Sequence, residues 1–310
     1  MAAGSVGALA PLVSRVDRML MAVRDRRQAA DTFERLLGAQ RDRDTRSDAL
    51  SAEVSVLRLG ESELELCEPA GPGPVADHLG QWGEGLLAMG LGAPDIGALR
   101  THLDALGEAY TVEGDRLHLG PPATAGLPLV ISPWRQPARV PGFVTGFYEA
   151  TNTLDSAWQT AAARYARLFA LEPGVFSPIA NKRFGYEGTL TLFDPDRLDR
   201  IELSQTFADQ PTAMRRFVER RGDSLYMCFV EAHDFDGLKE RLLAAGAQLD
   251  RARRRSRCRA RHRLGASAQS ARDAARHFAY RLRLDLVGAA GMGSGPALIR
   301  SRPVPGRCRR

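Results

Sequence analysis

The chain has 310 residues, which is enough for two domains of ordinary size, and its apolar and charged fractions, 44% and 26%, are those of a globular protein. No apolar run is long enough to cross a bilayer, and no basic residue precedes the short apolar stretch at the start. The composition therefore excludes a fibre or a membrane-spanning protein and predicts a cytoplasmic one.

The charge is divided unevenly along the chain. The whole sequence has a net charge of +6, but residues 251–310 contain 17 Arg, no Lys and 2 Asp, a net charge of +15. Residues 1–250 therefore have a net charge of −9. The basic isoelectric point comes from the tail and does not describe the part of the chain that is patterned as a folded protein.

Four segments repeat one pattern: an apolar strand, an Asp where the strand ends, and then an amphipathic helix. The four Asp residues are Asp25, Asp95, Asp155 and Asp234. Asp is favoured before a helix because its carboxylate accepts hydrogen bonds from the free N–H groups of the first turn. The apolar residues after each Asp recur at spacings of three and four, which predicts a helix with one buried face.

The residues behind these helices predict where each helix ends. Gly38, Gly107 and Gly246 can supply the left-handed conformation that closes the first, second and fourth helices. Pro173 and Gly174 are predicted to close the third helix.

Strand-like stretches follow the first helix at 49–60 and 62–69, and follow the third helix at 183–195 and 199–205. The repeated unit is therefore βαβββ, present four times with the last copy incomplete. The Pro-rich segment 133–142 is the predicted linker between two pairs of units. The predicted class is α+β, with domains at 1–136 and 137–250 and an Arg-rich tail at 251–310.

Three stretches carry a resemblance to a known family: VDRMLMAVRD at 16–25, AADTFERLLG at 29–38 and LRLGESELELCEP at 57–69. They resemble the vicinal-oxygen-chelate superfamily, which includes glyoxalases, bleomycin-resistance proteins and extradiol dioxygenases. The resemblance covers residues 14–250. It implies that the four modules pair into two eight-stranded, cup-like mixed sheets, as in the two-domain dioxygenases of the superfamily.

The resemblance also implies where metal ligands would lie: on the first strand of a module, seven residues before the Asp, and at the Glu of an IEL-type triplet on the last strand. The matching residues here are Arg18, Ala88, Tyr148 and Met227 on first strands, and Glu65 and Glu202 on last strands. Each cup then has one carboxylate, whereas a catalytic zinc ion needs about three protein ligands. The prediction is a degenerate site with no bound metal or other cofactor, and a divalent ion is the alternative.

Glu65 and Glu202 are the candidate general bases, because a positioned carboxylate can remove a proton next to a carbonyl group. Arg18, Tyr148 and Met227 are the candidate ligand-binding residues. The structural alternatives are that Glu65 pairs with Arg18 and that the aromatic and apolar residues belong to the core. Strand alternation predicts that Tyr226 and Met227 face opposite sides of the sheet.

The predicted function is that of a glyoxalase-like small-molecule-binding protein, with metal-independent lyase or isomerase chemistry as the reaction class. The first alternative is a divalent-metal-dependent lyase, epimerase or ring-cleaving dioxygenase. The second is an Arg-rich nucleic-acid binder. A small-molecule ligand is the expected partner; a membrane is excluded and nucleic acid is not favoured.

The tail is interpreted as the product of a slipped reading frame. The chain has 2 Lys and 41 Arg, which indicates a GC-rich gene, and in such genes a shifted frame yields strings of Arg and Ala. When residues 264–288 are back-translated and read one nucleotide later, they can spell two apolar strands joined by a His-Pro turn. That pattern resembles the end of a module in this superfamily, so a frame error is favoured over a functional basic arm.

Overall fold

The computed structural model of the chain describes residues 11–194 and 197–245 and, as strand backbone, residues 248–250, 280–285 and 298–302. Most of the tail, and with it the frame-error interpretation, lies outside the described residues. None of the described helices combines the length and the apolar character that a bilayer crossing requires.

The helices and strands follow the repeated unit closely. The elements of the first half are β1 (Arg15–Ala22), α1 (Arg26–Leu37), β2 (Gln40–Ser47), β3 (Ala52–Leu59), β4 (Ser62–Pro69), α2 (Pro74–Trp82), β5 (Gly85–Ala93), α3 (Ile96–Leu106), β6 (Thr111–Glu113), β7 (Arg116–Leu119) and β8 (Leu129–Pro133). Those of the second half are β9 (Val144–Leu154), α4 (Trp158–Phe169), β10 (Phe176–Asn181), β11 (Tyr186–Leu192), β12 (Arg200–Thr206), α5 (Ala213–Arg221), β13 (Ser224–Ala232), α6 (Phe235–Ala244), β14 (Gln248–Asp250), β15 (Tyr280–Asp285) and β16 (Leu298–Arg302).

The strands form two mixed sheets, in the orders β2-β3-β4-β1-β5-β8-β7-β6 and β10-β11-β12-β9-β13-β15-β16-β14. In each sheet the first strands of two modules, β1 with β5 and β9 with β13, run antiparallel at the centre. In the first sheet β8 then pairs parallel with β5, whereas in the second sheet β15 pairs antiparallel with β13. The predicted α+β class with paired modules is confirmed, and the fourth module is the one that departs from the repeat.

The predicted Asp caps are present on three of the four module helices. Asp25 accepts hydrogen bonds from the backbone N–H groups of Arg27 and Gln28, and Asp95 and Asp234 cap α3 and α6 in the same way. The predictions for the ends of α4 are wrong, because the helix begins after Ala157 instead of at Asp155 and is closed by Ala170, which has a φ of 50°, instead of by Pro173 and Gly174.

Asp155 does not cap α4 because its carboxylate is engaged elsewhere. It accepts a hydrogen bond from Arg215 Nη1 at 2.6 Å.

One apolar core joins the two sheets. It contains buried residues of α1, α3, α4 and α6 and of the central strands of both sheets. Backbone groups also cross between the halves, since Glu61 N donates to Thr145 O at 2.7 Å and Val16 N donates to Asp199 Oδ1 at 2.7 Å. Each sheet therefore has one face on the shared core and an opposite face, called the cup face below, on which the candidate site residues lie.

Two helices outside the predicted pattern pack near the cup faces. Val75 and Leu79 of α2 belong to a small apolar cluster on the first cup face, and α5 packs against β9, β12 and β13. The two helices meet at Arg221, whose guanidinium carbon lies 4.6 Å from the ring centre of Trp82 and 4.8 Å from that of Phe217. Burial, together with the charge of Arg221, lowers the pKa of His78 on α2 to about 4.

The edge strand β2 is polar along nearly its whole length. Its exposed residues include Arg41, Arg43 and Arg46, alternating with acidic residues. Arg43 donates two hydrogen bonds to Glu63, at 3.0 and 3.1 Å, and Arg46 lies 3.3 Å from Glu53. The first sheet therefore ends in a strand whose side chains form ion pairs with its own neighbours.

Gly60, in the turn between β3 and β4, fixes how closely the two halves approach. Its φ is +61°, and a Cβ atom there would overlap the backbone carbonyl of Thr145 in the other sheet. Gly114, in the turn between β6 and β7, has a φ of +59°, but a Cβ there would meet no atom of the described chain within 4 Å.

We expect Gly60→Ala to destabilise the protein more than Gly114→Ala does. Both variants carry the left-handed strain of about 1–2 kcal/mol, and the backbone overlap at Gly60 should add about 1–3 kcal/mol. Chemical denaturation of both variants measures the difference. Equal losses of stability would show that the two halves do not depend on this close approach.

Candidate functional site

The first cup face contains a buried ionic cluster. Arg18, which is 7% exposed, donates to both oxygens of Asp17, at 3.1 and 2.8 Å, and also contacts Ser132. Arg18 Nη1 lies 3.5 Å from Glu65 Oε1, while the two terminal nitrogens of Arg116 lie 3.0 and 3.1 Å from the two oxygens of Glu65. The structure brings Arg18 and Glu65 together, with Arg116 as the nearer partner of Glu65.

The electrostatics of this cluster favour a structural ion pair. Burial raises the pKa of Asp17 even though Arg18 acts to lower it. Burial acts to lower the pKa of Arg18, but Asp17 and Glu65 raise it overall. Because both oxygens of Glu65 lie against guanidinium groups, its role as a general base stays a prediction that the geometry does not favour.

The second cup face contains a buried pair of carboxyl groups. Glu149 on β9 is 3% exposed and Glu202 on the adjacent strand β12 is 5% exposed, and they are close enough for Glu202 to raise the pKa of Glu149. Arg200 Nε donates to Glu149 Oε2 at 2.6 Å, and Ser204 Oγ donates to Glu202 Oε1 at 2.7 Å. The guanidinium carbon of Arg200 also lies 5.4 Å from the ring centre of Tyr148.

The carboxyl pair is short of positive charge. Arg200 is the one guanidinium that contacts it among the described residues, and it can balance one carboxylate. Burial, reinforced by the neighbouring Glu202, therefore raises the pKa of Glu149 to about 8, although Arg200 acts in the opposite direction. A carboxyl group with this pKa keeps its proton near neutral pH and can give it up to a base, which suits Glu149 to proton transfer.

The strand register places apolar residues directly beside the carboxyl pair. Phe229 on β13 lies opposite Glu149 on β9, and Met227 lies opposite Thr151, whose other neighbour is Glu202 on β12. The Thr151 hydroxyl is buried and has no hydrogen-bond partner in the described part of the chain. The carboxyl groups of Glu149 and Glu202 and the apolar side chains of Met227 and Phe229 therefore lie at neighbouring positions of the second sheet.

Tyr148, Met227 and Phe229 form one buried cluster, and the ring centres of Tyr148 and Phe229 are 6.1 Å apart. Tyr226 packs against the same cluster and lies 4.8 Å, between ring centres, from Phe217 of α5. The prediction that Tyr226 and Met227 face opposite sides is wrong. The register between β9 and β13 slips at Tyr226, so the two side chains do not simply alternate.

The described residues do not fit a divalent metal ion. No three His, Cys, Asp or Glu side chains in the described part of the chain converge as a metal site requires. In the second cup Tyr148 and Met227 occupy the positions of family ligands, and Arg200 already occupies an oxygen of Glu149. A cationic guanidinium beside the carboxyl pair opposes a second cation there, so no step of the chemistry is assigned to a metal.

The predicted site residues fall into two separate groups. Arg18 and Glu65 lie in the first cup, and Tyr148, Met227 and Glu202 lie in the second. Their catalytic and binding roles stay predictions.

Sequence reasoning missed two residues of the second cup, Glu149 and Arg200. Glu149 carries a signal that could have found it, since it is the one acidic residue inside the otherwise uncharged strand 144–154.

No family model and no curated protein matches the sequence. Among solved structures, a triple mutant of 4-hydroxymandelate synthase from Streptomyces coelicolor matches with a TM-score of 0.60 and 17% identity, over 76% of this chain and 75% of its own. A xylose isomerase-like TIM barrel/4-hydroxyphenylpyruvate dioxygenase fusion protein matches with a TM-score of 0.53 and 14% identity, over 77% of this chain and 40% of its own. At these identities the likeness is one of fold.

The methylmalonyl-CoA epimerase of Mycobacterium tuberculosis also matches, with a TM-score of 0.36 and 19% identity. The match covers 44% of this chain and 94% of the epimerase.

The raised pKa of Glu149 predicts how Glu149→Gln changes the pH dependence of stability. Below the unfolded pKa the wild type and the variant should be equally stable. As the pH rises towards about 8, the wild type should lose stability relative to the variant, because its unfolded state releases a proton that its folded state keeps. The slope should approach about 1.4 kcal/mol per pH unit.

Denaturant unfolding at several pH values between 4 and 9 measures this difference. Glu187→Gln, an exposed position on the adjacent strand β11, is the matched control and should track the wild type. A Glu149→Gln curve parallel to that of the wild type would contradict the raised pKa of Glu149.

Proposed function

The chain has the fold of the vicinal-oxygen-chelate superfamily, and from that premise we propose that it binds a small molecule in the second cup and transfers a proton there without a metal ion. The observation that carries the proposal is the buried pair of Glu149 and Glu202 beside Arg200, in which burial and the neighbouring Glu202 raise the pKa of Glu149. General acid–base catalysis requires an acid and a base at the reacting atoms, and a buried carboxyl group with a pKa near neutral pH beside a second carboxyl group can supply both.

The chemistry that suits this pair is enolisation of a carbonyl compound. The ionised carboxyl group takes a proton from the carbon next to the carbonyl group, and its protonated partner gives a proton to the carbonyl oxygen. The pair again holds one proton, so the charge that Arg200 balances does not change during the step. Return of a proton to a different carbon completes an isomerase reaction, and loss of a leaving group from the enol completes a lyase reaction.

The surroundings of the pair favour an aromatic or apolar substrate. Tyr148, Met227 and Phe229 supply an apolar surface next to Glu149 and Glu202, and such a surface with few polar anchors is typical of small-molecule sites. The name of one structural neighbour contains 4-hydroxyphenylpyruvate, an aromatic 2-oxo acid with an enolisable methylene group. This compound and phenylpyruvate are therefore suitable first probes.

We expect protein treated with a metal chelator to accelerate exchange of the methylene protons of these probes for deuterium in D2O, measured by proton NMR. Glu149→Gln and Glu202→Gln should each reduce the protein-dependent rate by about 100-fold or more, because general acid–base catalysis contributes about 10²–10⁴-fold. The control Glu187→Gln should keep the wild-type rate.

The same experiment separates the proposal from its metal-dependent alternative. Exchange that appears only after a divalent ion is added would support a metal-dependent lyase, epimerase or dioxygenase. Exchange that survives both substitutions, in variants shown to be folded by their unfolding transitions, would rule out the carboxyl pair as the acid and base.

A further inference from the structure

We infer that the first cup holds a second binding site, for a small oxyanion with carboxylate or phosphate chemistry. An open cavity of about 310 Å³ lies beside Arg18 and Asp17 of the ionic cluster in the first cup. This volume is at the lower end of the range for small-molecule sites, about 300–1,000 Å³. Five arginines line it: Arg18, Arg43, Arg58, Arg116 and Arg135.

The walls of the cavity come from strands of the first sheet and from the connecting segment. Arg18 lies on the central strand β1, Ser132 lies on β8, and Arg116 lies on β7. Residues 133–137, which lead from the first half to the second, close one side and contribute Trp134. The positions of the guanidinium groups are therefore set by strand register and by the connecting segment.

The carboxylates of the ionic cluster are paired with guanidinium groups. Asp17 is contacted by Arg18, Glu63 by Arg43, and Glu65 by Arg116 and, at 3.5 Å, by Arg18. Guanidinium groups carry five N–H donors each, so a cluster with this composition has more donors than acceptors.

Arg58 lines the cavity and has an N–H group without an acceptor in the described part of the chain. Its Nη2 donates to the carbonyl oxygen of Ala138 at 2.7 Å, and no carboxylate of the described residues lies within ion-pair distance of it. Its Nε and Arg18 Nη1 have no hydrogen-bond acceptor in the described part of the chain. An oxyanion would supply the missing acceptors, and guanidinium groups match both carboxylate and phosphate geometry.

Four acidic residues also line the cavity: Asp17 and Glu63, which are paired with Arg18 and Arg43, and Glu61 and Asp115, the last of which lies 3.7 Å from Arg135. Their charge limits how much negative charge the site can accept. The site therefore suits a small ion with one or two negative charges and disfavours a polyanion such as a nucleic acid.

The inference is independent of the proposed function, because it concerns the other cup and other residues. We expect inorganic phosphate or malonate, titrated into the full chain at low salt and followed by calorimetry, to bind saturably at one site in the millimolar range or tighter. Arg58→Gln should weaken that binding by about tenfold or more, the effect of losing one charge-assisted hydrogen bond. Arg24→Gln, at an exposed position outside the cavity, is the matched control and should bind as the wild type does.

A second variant and a second measurement distinguish loss of the binding site from misfolding of the protein. Arg116→Gln combined with Glu65→Gln removes an ion pair without leaving a buried carboxylate unpaired, and it too should lose binding. The bound anion should raise the unfolding temperature of the wild type but not that of Arg58→Gln.

Binding of phosphate alone would assign the site to phosphate esters, and binding of malonate alone would assign it to carboxylic acids. Absence of saturable binding with both anions, or equal affinity in the wild type and Arg58→Gln, would overturn the inference.

Discussion

A carboxylate removed from water must be matched by a cation, by hydrogen-bond donors or by a proton, and both cups are organised by this requirement. The first cup meets it with arginine: both oxygens of Glu65 face guanidinium groups, and Asp17 is held by Arg18. Among the described residues one guanidinium, that of Arg200, contacts the two carboxyl groups of the second cup, and the pKa of Glu149 is raised to about 8. The same fold thus holds one cluster in which arginines balance the buried carboxylates and one in which the pKa of a buried carboxyl group is raised.

The charge balance in the two cups depends on register shifts between the central strands of each sheet. The register between β1 and β5 slips at Asp17, and that between β9 and β13 slips at Tyr148. A residue added to one strand of an antiparallel pair breaks the alternation of side chains. Asp17 can therefore lie against Arg18, its direct neighbour in sequence, and both Tyr148 and Glu149 are buried at the second site.

These slips explain how far the sequence could predict the molecule. The Asp caps and the spacing of apolar residues predicted α1, α3 and α6 closely, because capping and one-sided burial are local properties. Glu65 and Glu202 were found from a triplet on regular strands. Glu149 and Arg200 were missed because their meeting depends on which strands are neighbours and on a register slip, and neither is encoded in local spacing.

The charged edge strand β2 also limits self-association of the protein through the edge of its first sheet. A free strand edge offers its N–H and C=O groups to any other chain, which is how sheets grow into aggregates. Adding a strand to β2 would force a partner to pack beside Arg43 and Arg46 while their ion pairs with Glu63 and Glu53 lose water. Replacing Arg46 with a β-branched residue would leave Arg43 in place at the cavity and still open a path to self-association, so the charged edge protects the fold from its own copies.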